Sequence, residues 1–216
     1  MAVTNAPNWN VVVSERGLAP TLPQRIGRVL WAPMLAMALM AFPLALALAL
    51  VRAGLIAQGT APAVVAALDQ YIPAAMFLGF ASVFAAISFA IARILGVLRP
   101  GGGSIQEAAG RSVQTLKTPF TAYAFIGLMM MAMMLLLGSV AAHVMVAKQA
   151  FMVVAAGDRA GIVMVQTLSN WLEGLRRLGA GTYLVSIALG LATIFTVLGF
   201  QATRLRELAY EPRRAR

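Results

Sequence analysis

The sequence predicts an all-α integral membrane protein, with four transmembrane helices, short amphipathic interfacial helices and both termini in the cytoplasm. Only 11% of its 216 residues are charged and 61% are hydrophobic, whereas about a quarter of an ordinary globular domain is charged. The stretch from Pro119 to Ala147 contains no charged residue. At about 1.5 Å of rise per residue, a helix of that length crosses the hydrocarbon core of a bilayer.

The net charge of +10 and the absence of cysteine restrict the chemistry of the chain. Basic residues next to transmembrane helices act as topology signals and bind anionic lipid headgroups. The sequence has no dense basic run of the kind that binds nucleic acid, so we expect lipids as partners and no nucleic acid. The lack of cysteine excludes disulfides, thiolate metal sites and iron–sulfur clusters.

Residues 1–28 predict an irregular cytoplasmic arm, because they contain prolines and show no helical periodicity. The first span is predicted at residues 29–51. Its alternating Ala-Leu tract resembles a strand, but both residues favour a helix and the run is far longer than a strand. A cleaved signal peptide is the competing interpretation. Its apolar region would be only about 7–15 residues long, so we expect a retained helix.

The second span is predicted at residues 71–98. The Pro-Gly-Gly-Gly sequence that follows, at residues 100–103, predicts a break in the helix. Ser104 and Glu107 have the spacing of a capping box, in which the two side chains bond backbone N–H groups of the first turn. A short amphipathic helix is therefore expected over residues 105–116, at the membrane surface.

The third span is predicted at residues 119–147 and the fourth at residues 181–202. Between them, apolar residues from Met164 to Leu178 recur at helical spacing, and polar residues that include Arg176 fill the other side. This pattern predicts a second amphipathic helix lying in the membrane interface. No internal sequence repeat is evident.

The distribution of lysine and arginine predicts the orientation of the spans, which form one transmembrane domain over residues 29–203. Twelve of these basic residues flank one face and five flank the other, and the positive-inside rule places the richer face in the cytoplasm. The arm and the basic tail at residues 204–216 are therefore expected inside a bacterial-type inner membrane. Six arginines are expected to contact headgroups and set this topology: Arg25, Arg28, Arg93, Arg99, Arg204 and Arg206.

Small residues at helical spacing predict where helices pack, because lipid gives helices little hydrophobic drive to associate. One such stripe lies in the second span and another in the fourth. The stripes consist of Ser82, Ala86 and Ala90, and of Thr182, Ser186, Gly190 and Thr193. We expect both to face neighbouring helices, in this chain or in a partner.

The candidate metal ligands are His143, which is the only histidine, and Met145, two residues further along the third span. Both residue types bind soft or borderline metals, so a copper site and a haem shared with another subunit are open hypotheses. A haem held by two histidines of this chain is excluded. The competing interpretation is a histidine hydrogen-bonded within the helices, and no cofactor is the leading expectation.

The leading functional hypothesis is a non-catalytic accessory subunit of a larger membrane complex of respiratory, oxygenase or photosynthetic type. In this hypothesis the chain packs against other integral membrane subunits. One alternative is a small homo-oligomeric transporter or channel. The other is a redox subunit that binds a metal or haem through His143.

Overall fold

The structure, a computed structural model, describes residues 11–13, 22–110 and 113–208. Side chains are described throughout these ranges except at residues 11–13, 99–101 and 208. The elements in chain order are β1 (Val11–Val13), α1 (Leu22–Ala57), α2 (Pro62–Ala108), β2 (Gln114–Leu116), α3 (Phe120–Ala155) and α4 (Arg159–Leu208).

All four helices are long and apolar enough to cross a membrane, which indicates a multi-pass membrane protein. They contain 36, 47, 36 and 50 residues. Three of the four predicted spans lie within one of these helices, and the third, predicted at residues 119–147, begins one residue before α3. The helices extend beyond the predicted spans. Hydropathy identifies only the part of a helix that is apolar enough for the hydrocarbon core, whereas the helix continues for as long as its backbone hydrogen bonds do.

The N-terminal arm differs from the irregular segment that was predicted. Helix α1 begins at Leu22, before the predicted boundary at residue 28. Strand β1 pairs antiparallel with β2, with Val11 opposite Leu116 and Val13 opposite Gln114. The rest of the arm up to residue 21, and the tail from residue 209, lie outside the described residues.

The predicted break at residues 100–103 was wrong, because α2 continues through the glycines to Ala108. Packing overrides the low helix propensity of glycine here: the side chain of Gln201 fills the place where a Cβ on Gly102 would lie. The helix ends instead at Ala108, and Gly110 in the turn that follows has a φ of 70°, which suits glycine. Residues 114–116 then form β2, so the separate amphipathic helix predicted over 105–116 is also wrong.

The second amphipathic helix is likewise absent as a separate element among the described residues. The stretch from Met164 to Leu178 is part of α4, which is continuous from Arg159 to Leu208. The polar residues on this stretch therefore belong to the first half of a long helix.

The two halves of the chain have matching organisation, which the sequence did not reveal. Each half contains a helix of 36 residues, a tight turn and a second helix of 47 or 50 residues. The turns contain Gly59 and Gly157, with φ of 65° and 68°. Positive φ is a conformation that glycine adopts without steric cost.

The chain divides into two compact units, and every helix contributes residues to both. Among the described residues, unit 1 consists of those up to Trp31, those between 87 and 126 and those from Ser186 to 208. Unit 2 consists of residues 32–86 and 127–185.

Buried positions on α3 and α4 repeat every seven residues, the spacing that helices use when they pack side by side. One buried series on α4 contains Val165, Leu172, Gly179, Ser186, Thr193 and Phe200. A second series contains Arg176, Tyr183, Gly190 and Arg204. On α3 the buried series include Met129, Leu136, His143 and Ala150.

The predicted packing residues lie mostly on these inner faces. Ser82, Ala86, Ser186, Gly190 and Thr193 are buried, whereas Ala90 and Thr182 are half-buried. Within unit 1, Ser186 donates a hydrogen bond to the carbonyl oxygen of Phe125, and Thr193 donates one to Thr121.

We expect Gly190→Leu to destabilise the protein by about 1–3 kcal/mol, the usual cost of overpacking. A Cβ at this position would lie 3.1 Å from the ring of Phe125 and 3.2 Å from Ile91, so a larger side chain has no space. The measurements are thermal unfolding and size-exclusion profile in detergent. Gly181→Leu on the same helix is the matched control, because no atom lies within 4 Å of a Cβ there. Equal unfolding temperatures for the two variants would contradict the packing.

Candidate functional site

A buried polar cluster in unit 2 joins three helices. Nδ1 of His143 on α3 lies 2.9 Å from Oε1 of Gln70 on α2. Nε2 of Gln70 donates a hydrogen bond of 3.1 Å to Oγ of Ser169 on α4. With Oε1 as acceptor, His143 donates through Nδ1, and its Nε2 therefore presents a lone pair.

Two further polar side chains are buried on the same face of α4. Arg176 is only 8% exposed, and its guanidinium lies over the ring of Phe77, 4.6 Å from the ring centroid. Tyr183 is fully buried, and its ring lies 5.4 Å from that of Phe84. A cation over an aromatic face is stabilised by the ring quadrupole, which gives the buried guanidinium one favourable contact.

Three buried polar atoms of these residues have no hydrogen-bond partner among the described residues. They are Nε2 of His143, Nε of Arg176 and the hydroxyl oxygen of Tyr183. A buried polar group without a partner is costly. Each of these atoms is therefore a place where water or a ligand would be stabilised.

The local cause of this arrangement is the regular pairing of α2 with α4. Gln70 contacts Ser169, Phe77 contacts Arg176, and Phe84 contacts Tyr183. In every pair the partners are 99 residues apart in the chain, and successive pairs are seven residues apart along each helix. The repeat brings one polar residue of α4 against α2 at every second turn.

A cavity of about 230 Å³ lies beside the cluster, between α2, the end of α3 and the start of α4. Its polar wall is made by Asp69, Gln70, Gln166, Ser169 and Asn170. Gln70 and Ser169 thus line the cavity and also hold His143 in place. At about 30 Å³ per water molecule in the liquid, this volume admits several waters or one small solute.

Two exposed ion pairs lie on the helices around the cavity. Arg52 of α1 pairs with Asp69, and Arg177 pairs with Glu173 one turn away on α4. Because Asp69 is the only ionised residue in the described wall and Arg52 pairs with it, the cavity carries little net charge.

The predicted metal ligands are not brought together. His143 is 1% exposed, whereas Met145 is 68% exposed, because two residues turn a helix by about 200°. No group of three or more histidine, cysteine, aspartate or glutamate side chains that would hold a metal ion occurs among the described residues. Copper or haem ligation by His143 stays an untested hypothesis.

The arginines expected at headgroups occupy different environments. Arg25, Arg28 and Arg206 are exposed, and Arg93 is exposed over the ring of Trp31, 5.4 Å from its centroid. The side chain of Arg99 lies outside the described residues.

Arg204 differs from this expectation, because it is 4% exposed and bonds to protein groups. Its NH1 lies 3.0 Å from the carboxylate of Glu207, and its Nε lies 3.5 Å from Oε1 of Gln106.

Sequence reasoning missed Gln70 and placed Arg176 on the polar side of a surface helix. The signal that locates Arg176 is the seven-residue series on α4 that also contains Tyr183 and Gly190. No comparable signal marks Gln70, whose partner on α3 is 73 residues away.

No family model, curated protein or solved structure matches this chain.

We expect Gln70→Leu to lower the free energy of unfolding by about 1–3 kcal/mol, because the substitution removes the hydrogen-bond partner of the buried Nδ1 of His143 and of the half-buried hydroxyl of Ser169. The measurement is denaturant or thermal unfolding in detergent. Gln166→Leu is the control, because Gln166 lies on the same cavity wall but is exposed, and we expect a change within about 0.5 kcal/mol. Equal effects of the two substitutions would contradict the buried cluster.

Proposed function

We propose that this chain is a membrane transporter or channel that takes up a small polar solute in the cavity of unit 2. The observation that supports the proposal is the hydrogen-bonded link from the cavity wall, through Gln70, to the buried His143. Ionisable residues inside membrane-spanning helices are costly, and they commonly mark substrate or proton pathways. A concave site with a few converging polar groups is also the usual form of a small-molecule site.

The chemistry of the wall favours an uncharged solute. Gln70, Gln166 and Asn170 each offer an amide donor and an acceptor, and Ser169 offers a hydroxyl. The carboxylate of Asp69 is paired with Arg52, so it does not select for a cation. A neutral solute with several hydroxyl or amide groups would match these donors and acceptors.

The matching halves of the chain support transport as well. Many secondary transporters consist of two structural repeats, and their solute sites lie where the repeats meet. Here Gln70 and Ser169 belong to different halves and bond directly to each other. With both termini in the cytoplasm of a bacterial-type inner membrane, the cavity at the start of α4 would open towards the outer face.

The test measures how fast two neutral probes, glycerol and urea, enter proteoliposomes that contain the protein. The rate of entry is monitored by stopped-flow light scattering. We expect the protein to accelerate entry of at least one probe over protein-free vesicles. Ser169→Val should reduce the accelerated rate about tenfold, since loss of one hydrogen bond of about 1.4 kcal/mol corresponds to that factor.

Thr193→Val is the matched control, because it also removes a buried, hydrogen-bonded hydroxyl from α4 but lies in unit 1. It should leave the rate unchanged. Entry at the protein-free rate for both probes, or equal loss in the two variants, would count against the proposal.

An accessory subunit of a larger membrane complex is the second candidate, and the exposure of α1 favours it. In the most apolar 18-residue stretch of α1, only 17% of the residues are buried. Its outward side chains include Leu39, Met40, Leu46 and Leu50, each more than half exposed. An apolar helix face of this size suits the surface of another membrane subunit as well as it suits lipid.

Purification of the tagged chain in mild detergent tests this second candidate. Subunits that co-purify in a fixed ratio and are released by Leu39→Trp, but not by Leu178→Trp, would support it. Leu178 is the matched control, because it is also an exposed leucine but lies on α4. A lone homo-oligomer would contradict it. An absorption spectrum of the same sample tests the remaining hypothesis, because bound haem or copper lost on His143→Ala would identify a redox subunit.

A further inference from the structure

A second cavity, of about 170 Å³, lies within unit 1. Segments of all four helices and strand β2 contribute to its wall. None of the described residues that line it is ionisable, which separates it from the cavity with Asp69 in unit 2. The wall has two parts, one of amide and hydroxyl side chains and one of apolar side chains.

The polar part is built around Gln106, which is 3% exposed. Its Oε1 accepts a hydrogen bond of 2.9 Å from the backbone N–H of Gln114, and its Nε2 donates one of 3.0 Å to the carbonyl oxygen of the same residue. An amide nitrogen has two N–H groups, so one remains. Gln201 lines the same wall; its amide nitrogen donates to the carbonyl oxygen of Leu98, and its amide oxygen is a hydrogen-bond acceptor.

The one buried cation next to this wall among the described side chains is already neutralised. Arg204 bonds to Oε1 of Gln106, and its guanidinium pairs with Glu207. An anion in the cavity would therefore find no unpaired positive charge. A cation would find no carboxylate in the lining, and both would lose their hydration on entry.

The apolar part sets the shape and size of the occupant. Phe125 and Phe200 supply aromatic rings, and Ala92 and Ala122 supply small side chains that leave the space open. Gly102 and Gly103 add no side chain to the wall. An engineered apolar cavity of about 150 Å³ binds benzene, so the volume here accommodates a single ring with one or two small substituents.

We infer that the unit 1 cavity binds an uncharged ring compound that carries one or two carbonyl or hydroxyl oxygens. The ring packs against Phe125 and Phe200, and its oxygen bonds to the amides of Gln106 and Gln201. Such a ligand has two possible sources. It is either a lipid dissolved in the membrane, with a ring and an apolar tail, or a free ring compound, and both have this chemistry.

The test is calorimetric titration of the purified chain in detergent with 4-ethylphenol, which is neutral at pH 7. Benzoate, of similar size but charged, and 1-octanol, which has the hydroxyl but no ring, are the comparison ligands. We expect saturable one-to-one binding of 4-ethylphenol, at least tenfold tighter than that of either comparison ligand. Benzoate or octanol binding as tightly as 4-ethylphenol would overturn the inference.

Ala122→Leu fills the cavity and should weaken 4-ethylphenol binding at least tenfold. Ala124→Leu on the same helix is the matched control, because Ala124 does not line the cavity, and it also corrects for partition of the ligand into detergent. Val197→Leu narrows the cavity from α4 and serves if Ala122→Leu does not fold. Binding that is unchanged in the cavity variants would overturn the inference.

The source of the occupant is identified by mass spectrometry of an organic extract of the purified chain. A neutral ring lipid retained at about one per chain, and lost in Ala122→Leu, indicates a membrane source. Binding of 4-ethylphenol by a chain that retains no such lipid indicates a free ring compound. A retained lipid that has only linear chains would overturn the inference.

Discussion

The register between α2 and α4 is the constraint on which the rest of the fold depends. In unit 2, Gln70 lies against Ser169, and in unit 1, Ile91 lies against Gly190. In both units the partners are separated by the same 99 residues. A shift of one residue would rotate each helix face by about 100° and would replace every one of these contacts. Hydrocarbon gives helices little reason to associate, so the fit of these side chains has to determine which faces meet.

Polar residues in this contact surface fall into two kinds. Some satisfy each other, as when Thr193 donates to Thr121, and they hold neighbouring helices in place. Others, including His143 and Arg176, keep an atom without a partner among the described residues. The first kind needs nothing beyond the protein, whereas the second kind is stabilised by a nearby water or solute. The cluster in unit 2 also includes Gln70 and Ser169, which line a cavity, and it is therefore the basis of the proposed transport function.

The sequence predicted the number of helices and the location of each span, because both follow from long runs of apolar residues. The stripes of small residues predicted the inner faces of α2 and α4, where Ser82 and Ser186 are buried, but no pattern located the large polar residues that also face inward. Arg176 was assigned to a polar surface, but its seven-residue spacing from Tyr183 places it inside. The glycines at 101–103 indicated a break, but close contact of Gly102 with Gln201 keeps the helix intact. These errors have one cause, because the partners that decide each case are distant in sequence and hydropathy carries no information about them.

The dependence of Gln70 on later parts of the chain has a consequence for biosynthesis. Its side chain bonds only to residues of α3 and α4 among the described residues. During translation the first helical hairpin leaves the ribosome well before Ser169 is made. For that interval the amide of Gln70, which follows the charged Asp69 near the start of α2, has no protein partner. Its hydrogen bonds form only after the second hairpin has been made, so the contact that joins the two halves of the chain is completed last.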